Sequence, residues 1–400
     1  MLKDKLSRFS RQINSPQESG PDEPEYDRYK LARKCLGGQL HELSAGTFLE
    51  IVSDFDSAYF HGEFTIGDIA ESGSFRTAHF YRSGDYDLIN PEKLLFFDIE
   101  TTGLGGSGTV PFLIGCGSPV GGNFRVRQYF LPDYPDETAM LEAVREEINH
   151  DTIIVSYNGK AFDLPILTDR LILHRVERHL EFADHIDLLH AARRMFSRRL
   201  QSCTLGNIEK NVLSFYRTDD IPGELVPAVY FNWLNNMETS DLKGVVEHNL
   251  NDIVSLYFLM HHISAAQENP GGRVVEPDDI YSLARIFESR KEHDRVNRMI
   301  EDCRNTVSDR SDILFMQSMA CKRIGDFDTA VAIWHDIANS GGSEAFSAMV
   351  ELAKYYEHRA RHFNLALEIS MRATSVCPDS PYIRADLKKR VERLRRKLSG

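Results

Sequence analysis

The stretch that most constrains this chain is Leu94-Leu95-Phe96-Phe97-Asp98-Ile99-Glu100, an apolar run that ends in two acids one residue apart. Four consecutive large apolar residues suit a strand covered on both faces, and a period of two puts Asp98 and Glu100 on the same face. Two carboxylates so close would repel strongly if buried alone, and a divalent cation removes the conflict. Hard oxygen donors favour magnesium or manganese. The surroundings extend the pattern. Residues 110–116 and 124–131 read as strands at meander spacing, 136–150 as a helix and 152–157 as a buried strand. A helix follows over 160–174, a strand over 181–189 and a long helix over 241–262. Strands followed by helices predict an α/β fold with a sheet covered on both faces.

Length and composition set the frame. Four hundred residues with 42% hydrophobic content imply two to three domains, each with its own core. No run approaches 18 apolar residues, so no membrane span is expected. Residues 1–12 mix Lys3, Asp4, Lys5, Arg8 and Arg11 with scattered apolar residues and lack the apolar block of a secretory signal, so a cytoplasmic location is expected. The six cysteines are scattered, with no pair at metal-ligand spacing, and read as small buried hydrophobes. A formal charge of -13 argues against an indiscriminate nucleic-acid coater. Residues 170–217 nevertheless carry nine Lys/Arg against five Asp/Glu, and 384–397 eight against two, so a basic groove can adjoin an acidic centre.

The domain reading is a flexible polar tail over 1–36, a short-strand region over 37–90, an α/β domain over 91–266, a Pro/Gly linker over 267–277 and an all-α domain over 278–400. Short strands are expected over 47–52, 60–66 and 78–82. In the helical part, Gly325-Asp326-Phe327-Asp328-Thr329-Ala330 recurs 36 residues later as Arg361-His362-Phe363-Asn364-Leu365-Ala366, and 278–306 looks like a degenerate first copy. This resembles tetratricopeptide repeats, with an ordinary helical bundle as the alternative.

Further acids stand at suitable places. Asn158-Gly159-Lys160-Ala161-Phe162-Asp163 follows a buried strand and opens a helix, while His248 and Asp252 lie four apart on one face of the long helix. Asp98 to Leu104, Asn158 to Asp163 and His248 to Asp252 resemble, in order, the three exonuclease motifs of the DEDD superfamily, which has the ribonuclease H-like fold. Tyr157-Asn158-Gly159-Lys160, Asp187-Leu188-Leu189-His190 with Arg193 and Arg194, and Glu247 to Asp252 narrow the resemblance to the YprB-type family, whose members also carry tetratricopeptide-like tails. The match covers about residues 90–265.

That resemblance implies a ribonuclease H-like mixed sheet with flanking helices and a metal-dependent 3′-5′ exonuclease. Two Mg²⁺ or Mn²⁺ ions would sit on Asp98, Glu100, Asp163 and Asp252, with His248 as general base. Three residues separate His248 from Asp252, the spacing that DEDD superfamily members use where the base is Tyr, whereas those with His usually keep four. Nucleic acid, as a single-stranded 3′ end, would lie along Thr101, Thr102, Gly103, Leu104, Asn158, Lys160, Phe162, Arg193 and Arg194. A protein partner is expected at the helical repeats. The rival reading is a catalytically inactive scaffold, binding nucleic acid or protein through those repeats.

Other signals weigh less. The G-x-G-x-x-G string of 103–108 precedes a strand instead of the helix a dinucleotide site needs. His185 and Asp187 could supply two ligands of an iron site, but the flanking strand-helix alternation does not suit one. Asp187 could instead line the groove or pair with Arg193 or Arg194. Arg193, Arg194, Arg198 and Arg199 read either as a solvated face or as phosphate contacts, and 384–397 as a capping helix with a basic surface.

Overall fold

The computed structural model describes residues 27–76, 80, 88–103, 108–268 and 276–399. Among them are two compact units, divided between Arg193 and Arg194, Gln201 and Ser202, and Ser264 and Ala265. Residues 269–275 of the expected linker lie outside the described residues, as do Leu104 and most of the strand expected over 78–82.

The first unit is built on a seven-stranded mixed sheet: β1 (Gln39–Leu43), β2 (Gly46–Phe55), β3 (Leu94–Thr101), β4 (Pro111–Val120), β5 (Asn123–Phe130), β6 (Ile153–Ser156) and β7 (Asp184–Asp187). Its order is β1-β2-β5-β4-β3-β6-β7. β6 runs parallel to β3 and β7, and the other pairs are antiparallel. The helices are α1 (Arg28–Leu36), α2 (Glu137–Glu146), α3 (Asp163–Leu173), α4 (Leu188–Phe196), α5 (Val226–Asn236) and α6 (Leu242–Glu268). The expected α/β architecture of a mixed sheet with flanking helices is the one observed, and β3 stands inside it.

Two boundaries need correction. The tail expected through residue 36 gives way to α1, capped by the Asp27 carboxylate on the N–H groups of Tyr29 and Lys30. Tertiary contact holds this helix where periodicity is weak: Ala32 is buried, and the Tyr29 hydroxyl donates to Asp136 at 2.8 Å. The short-strand region is part of the sheet, because β2 pairs with β5 and extends it. Within the strand expected over 60–66, only Phe60–His61 and Phe64–Thr65 pair, and a helix over Ile66–Ser72 follows under a Thr65/Asp68 capping box.

The second unit is a stack of helices: α7 (Pro277–Ser289), α8 (His293–Asp302), α9 (Ser311–Ile324), α10 (Phe327–Ser340), α11 (Ala345–His358), α12 (Phe363–Ser375) and α13 (Pro381–Ser399), with a single-turn helix over Arg304–Val307. Each of the seven packs on the next. Turns with left-handed backbone at Lys291, Gly325 and Arg361, 34 and 36 residues apart, fold α7/α8, α9/α10 and α11/α12 into successive hairpins. Glycine takes that conformation without strain, whereas Lys291 and Arg361 hold it at some cost. Arg198 and Arg199 group with this unit and are ion-paired there, Arg198 to Asp278 and Asp312 and Arg199 to Asp279.

Helix α13 turns three of its basic residues on a buried acid. Glu357, on α11, accepts from Arg390 (2.9 Å), Arg393 (2.7 and 2.9 Å) and Lys397 (3.0 Å). The Arg393 hydrogen bonds lead in holding its carboxyl down to about 2. Its contribution is therefore complete above about 4.5 and lost as pH falls through about 2. Glu357→Gln should cost about 3 kcal/mol at pH 7. Thermal melts should show the gap from wild type closing as pH is lowered below 4.5; a gap independent of pH contradicts this account of α13.

Candidate active site

Strand β3 divides its side chains between two faces. Leu95, Phe97 and Ile99 enter the main core, whereas Phe96 packs edge-on to Phe124 and Tyr257, and Asp98 and Glu100 continue along its face. Helix α6 lies over that face at close range because β4 is bare there. A Cβ at Gly115, the residue paired with Asp98, would collide with the Asn249 side chain. With no side chain in the way, Asn249 Nδ2 donates to Asp98 Oδ2 at 2.8 Å, and Asn249 Oδ1 accepts from Gln128 Nε2 at 2.8 Å. Both amides are buried, so the orientation of Asp98 is fixed by a buried chain of hydrogen bonds that runs back to Gln128.

The second acid arrives from the end of β6. Asn158 takes a left-handed backbone, and Gly159 passes so close to Ser156 and Asp163 that any Cβ would clash. Asp163 then opens α3 and is buried. This turn is clamped by Asp187, at the end of β7, whose carboxylate accepts from the backbone N–H groups of Asn158 (2.9 Å), Lys160 (3.3 Å) and Leu189 (3.1 Å). The expectation that Asp187 pairs with Arg193 or Arg194 is corrected to this backbone role.

Helix α6 supplies His248 and Asp252. His248 Nε2 lies 4.0 Å from Glu100 and 3.8 Å from Asp252, while its Nδ1 meets Asp220 at 2.7 Å. Arg217 completes the cluster. Its guanidinium binds Asp252, pairs with both oxygens of Glu209 and lies 3.4 Å from Asp220.

The electrostatics register this convergence. Burial pushes the Asp98 carboxyl well up, and the charges of Asp252, Asp163 and Glu100 add to it, against the Asn249 hydrogen bond. Burial likewise lifts Glu100 to about 8, with His248 opposing and Asp252 and Asp163 reinforcing. Asp163 rises to about 7 through burial and then the charges of Asp187 and Asp252. For His248 burial alone would lower the value, but the Asp220 hydrogen bond and the charges of Asp252 and Glu100 carry it up to about 9.

Asp98, Glu100, Asp163, Asp252, Glu209 and Asp220 thus stand against Arg217 and His248, a formal excess of four negative charges if all ionise. Oxygen donors, deep burial and uncompensated charge fit a hard divalent cation. As the side chains stand, no three His, Cys, Asp or Glu among the described residues clasp one.

The remaining expected residues fall as follows. Thr101 is buried, its hydroxyl donating to the Gly103 carbonyl at 2.6 Å, and the Thr102 hydroxyl accepts from the Val110 N–H at 3.0 Å. Asn158 and Lys160 are exposed on the turn before Asp163, Phe162 is half-buried, and Arg193 is exposed, close enough to Tyr157 and Cys203 for both to feel its charge. Arg194 groups with the second unit.

Comparison with known proteins agrees with this geometry. Residues 95–264, which hold every one of these acids, match the family model of the RNase H superfamily. The chain is also 34% identical over 318 residues to YprB of Bacillus subtilis (strain 168), itself uncharacterized, covering 78% of this chain and 76% of that protein. The chain belongs to the RNase H superfamily. As in the sequence reading, it is of the YprB type, and RNase H superfamily membership implies a nuclease-type hydrolase acting on nucleic acid.

Within this RNase H unit, sequence reasoning missed Asn249, Gln128, Glu209, Arg217 and Asp220. Asn249 adjoins His248 inside the third exonuclease-like motif, and its amide was the available signal. The others come from a strand, a π-helical turn (Glu209–Leu213) and an irregular loop, and nothing local marks them. The Asp187 clamp is open to test. Asp187→Ala leaves three N–H groups without their acceptor and should destabilise the protein by about 1–3 kcal/mol. Hydrogen exchange should then speed up at Asn158, Lys160 and Leu189. Unchanged protection at those amides would mean that the turn holds itself.

Proposed function

We propose that this protein is a 3′-5′ exonuclease that hydrolyses phosphodiester bonds with divalent cations. The observation that carries the reading is the convergence of Asp98, Glu100, Asp163 and Asp252, from three separate segments, on one buried site where the charges of Asp252 and Asp163 raise the cost of ionising Asp98 and Glu100. These four residues would hold the cations, and the formal excess of charge suits two Mg²⁺ or Mn²⁺ ions. When bound, the ions supply activation of water and stabilisation of charge on the leaving oxygen.

The chain's own residues do the rest. Asp220 fixes the His248 ring through Nδ1, which aims Nε2 at the acids; the ring would serve as general base in its neutral form, which bound cations would favour by offsetting the acids that raise its pKa. Asn249 keeps Asp98 in one rotamer, and the Asp187 clamp sets the turn from which Asp163 points. Lys160 and Arg193 would meet backbone phosphates, making binding salt-dependent, while Phe162 offers a ring face to a base. Thr101, Thr102 and Gly103 would line the strand end beside the reacting phosphate. The helical hairpins of the second unit are proposed as a tetratricopeptide-like surface for a protein partner.

End-labelled DNA and RNA single strands with Mg²⁺ or Mn²⁺ provide the test. Shortening from the 3′ end is expected, lost in EDTA and lost in Asp98→Asn and Asp252→Asn with the circular dichroism spectrum intact. Undiminished cleavage in EDTA would remove the proposal. Circular single strands should resist; their cleavage would replace the exonuclease reading with an endonuclease.

A further inference from the structure

The loop over 214–222 has no regular period, yet it delivers two charged side chains to the centre of the site. Asp220 takes the outer nitrogen of His248, and Arg217 takes an oxygen of Asp252. The guanidinium is only about a tenth exposed, so it is not a surface cation that happens to fold inward. Glu209 anchors it, accepting Nε at 2.8 Å on one oxygen and Nη2 on the other. Glu209 is itself buried, accepts from the Ser255 hydroxyl, and is fixed through Ser255 to His61 at 2.8 Å. Phe215, two residues before Arg217, stacks on the His61 ring at 3.7 Å. Arg217 is thus pre-positioned from behind, with one edge presented to Asp252.

That edge occupies one of the two oxygens that Asp252 could offer a metal ion. A planar guanidinium spans two carboxylates at once and stays charged at every accessible pH. A cation held there satisfies Asp252 when no metal is bound, and it repels an incoming one. Resting on the metal-dependent reading above, we infer that Arg217 is a built-in counter-cation, which must release Asp252 to a divalent ion and so weakens metal binding at this site. A bracing role would have the opposite sign, since removing a brace loosens Asp252 and lowers affinity.

Isothermal titration of the full chain with Mn²⁺ separates the two. Arg217→Gln should bind Mn²⁺ about tenfold or more tightly than wild type, the range set by a charge-assisted hydrogen bond. Its metal-free melting temperature should fall. Arg217→Lys keeps the charge but cannot span Glu209 and Asp252 together, so it should bind more tightly than wild type by a smaller factor; it decides the matter if Arg217→Gln does not fold. The gain should vanish when Asp252→Asn is added. Affinity equal to or below wild type in these variants, or a gain that persists without Asp252, overturns the inference while leaving a metal site intact. No Mn²⁺ binding by wild type or either variant overturns the metal-dependent reading and this inference with it.

Discussion

Like charge confined in a buried site is the constraint around which the first unit is arranged. Asp98, Glu100, Asp163 and Asp252 press on one another through a medium that screens them poorly. The protein answers with hydrogen bonds and a few cations of its own, and the answer remains incomplete. Asn249 stabilises Asp98, Arg217 stabilises Asp252, and His248 faces Glu100, yet carboxyls still outnumber cations. A fold that tolerates such a conflict keeps it for a use, which ties the electrostatics to the hydrolase chemistry of the superfamily.

Strand geometry makes the conflict possible. A period of two separates the acids of β3 from Leu95, Phe97 and Ile99, so one strand can serve a core and a site together. The bare backbone of Gly115 then lets α6 settle close enough for its polar residues to reach β3. Neither feature alone would gather the acids.

Much of this was legible because it is local and periodic. The apolar run ending at Asp98 and Glu100 announced β3, and the four-residue step from His248 to Asp252 placed both on one face of a helix. Arg217, Asp220 and Glu209 were not legible. They come from a loop and a π-helical turn, where side-chain direction follows no period and partners lie up to 46 residues away. Helix α1 escaped for a related reason, since its stability rests on Asp136 and the core more than on its own pattern. In the second unit the recurrence of Gly325-Asp326-Phe327 at Arg361-His362-Phe363 marked two turns, and the degenerate first copy expected over 278–306 holds a third left-handed turn at Lys291.

The central claim is that the four acids form a single cation site. Anomalous scattering from crystals soaked in Mn²⁺ tests it most directly. The account calls for manganese peaks bounded by the carboxylate oxygens of Asp98, Glu100, Asp163 and Asp252. Fully occupied manganese elsewhere on the protein, with none among these four side chains, would contradict it.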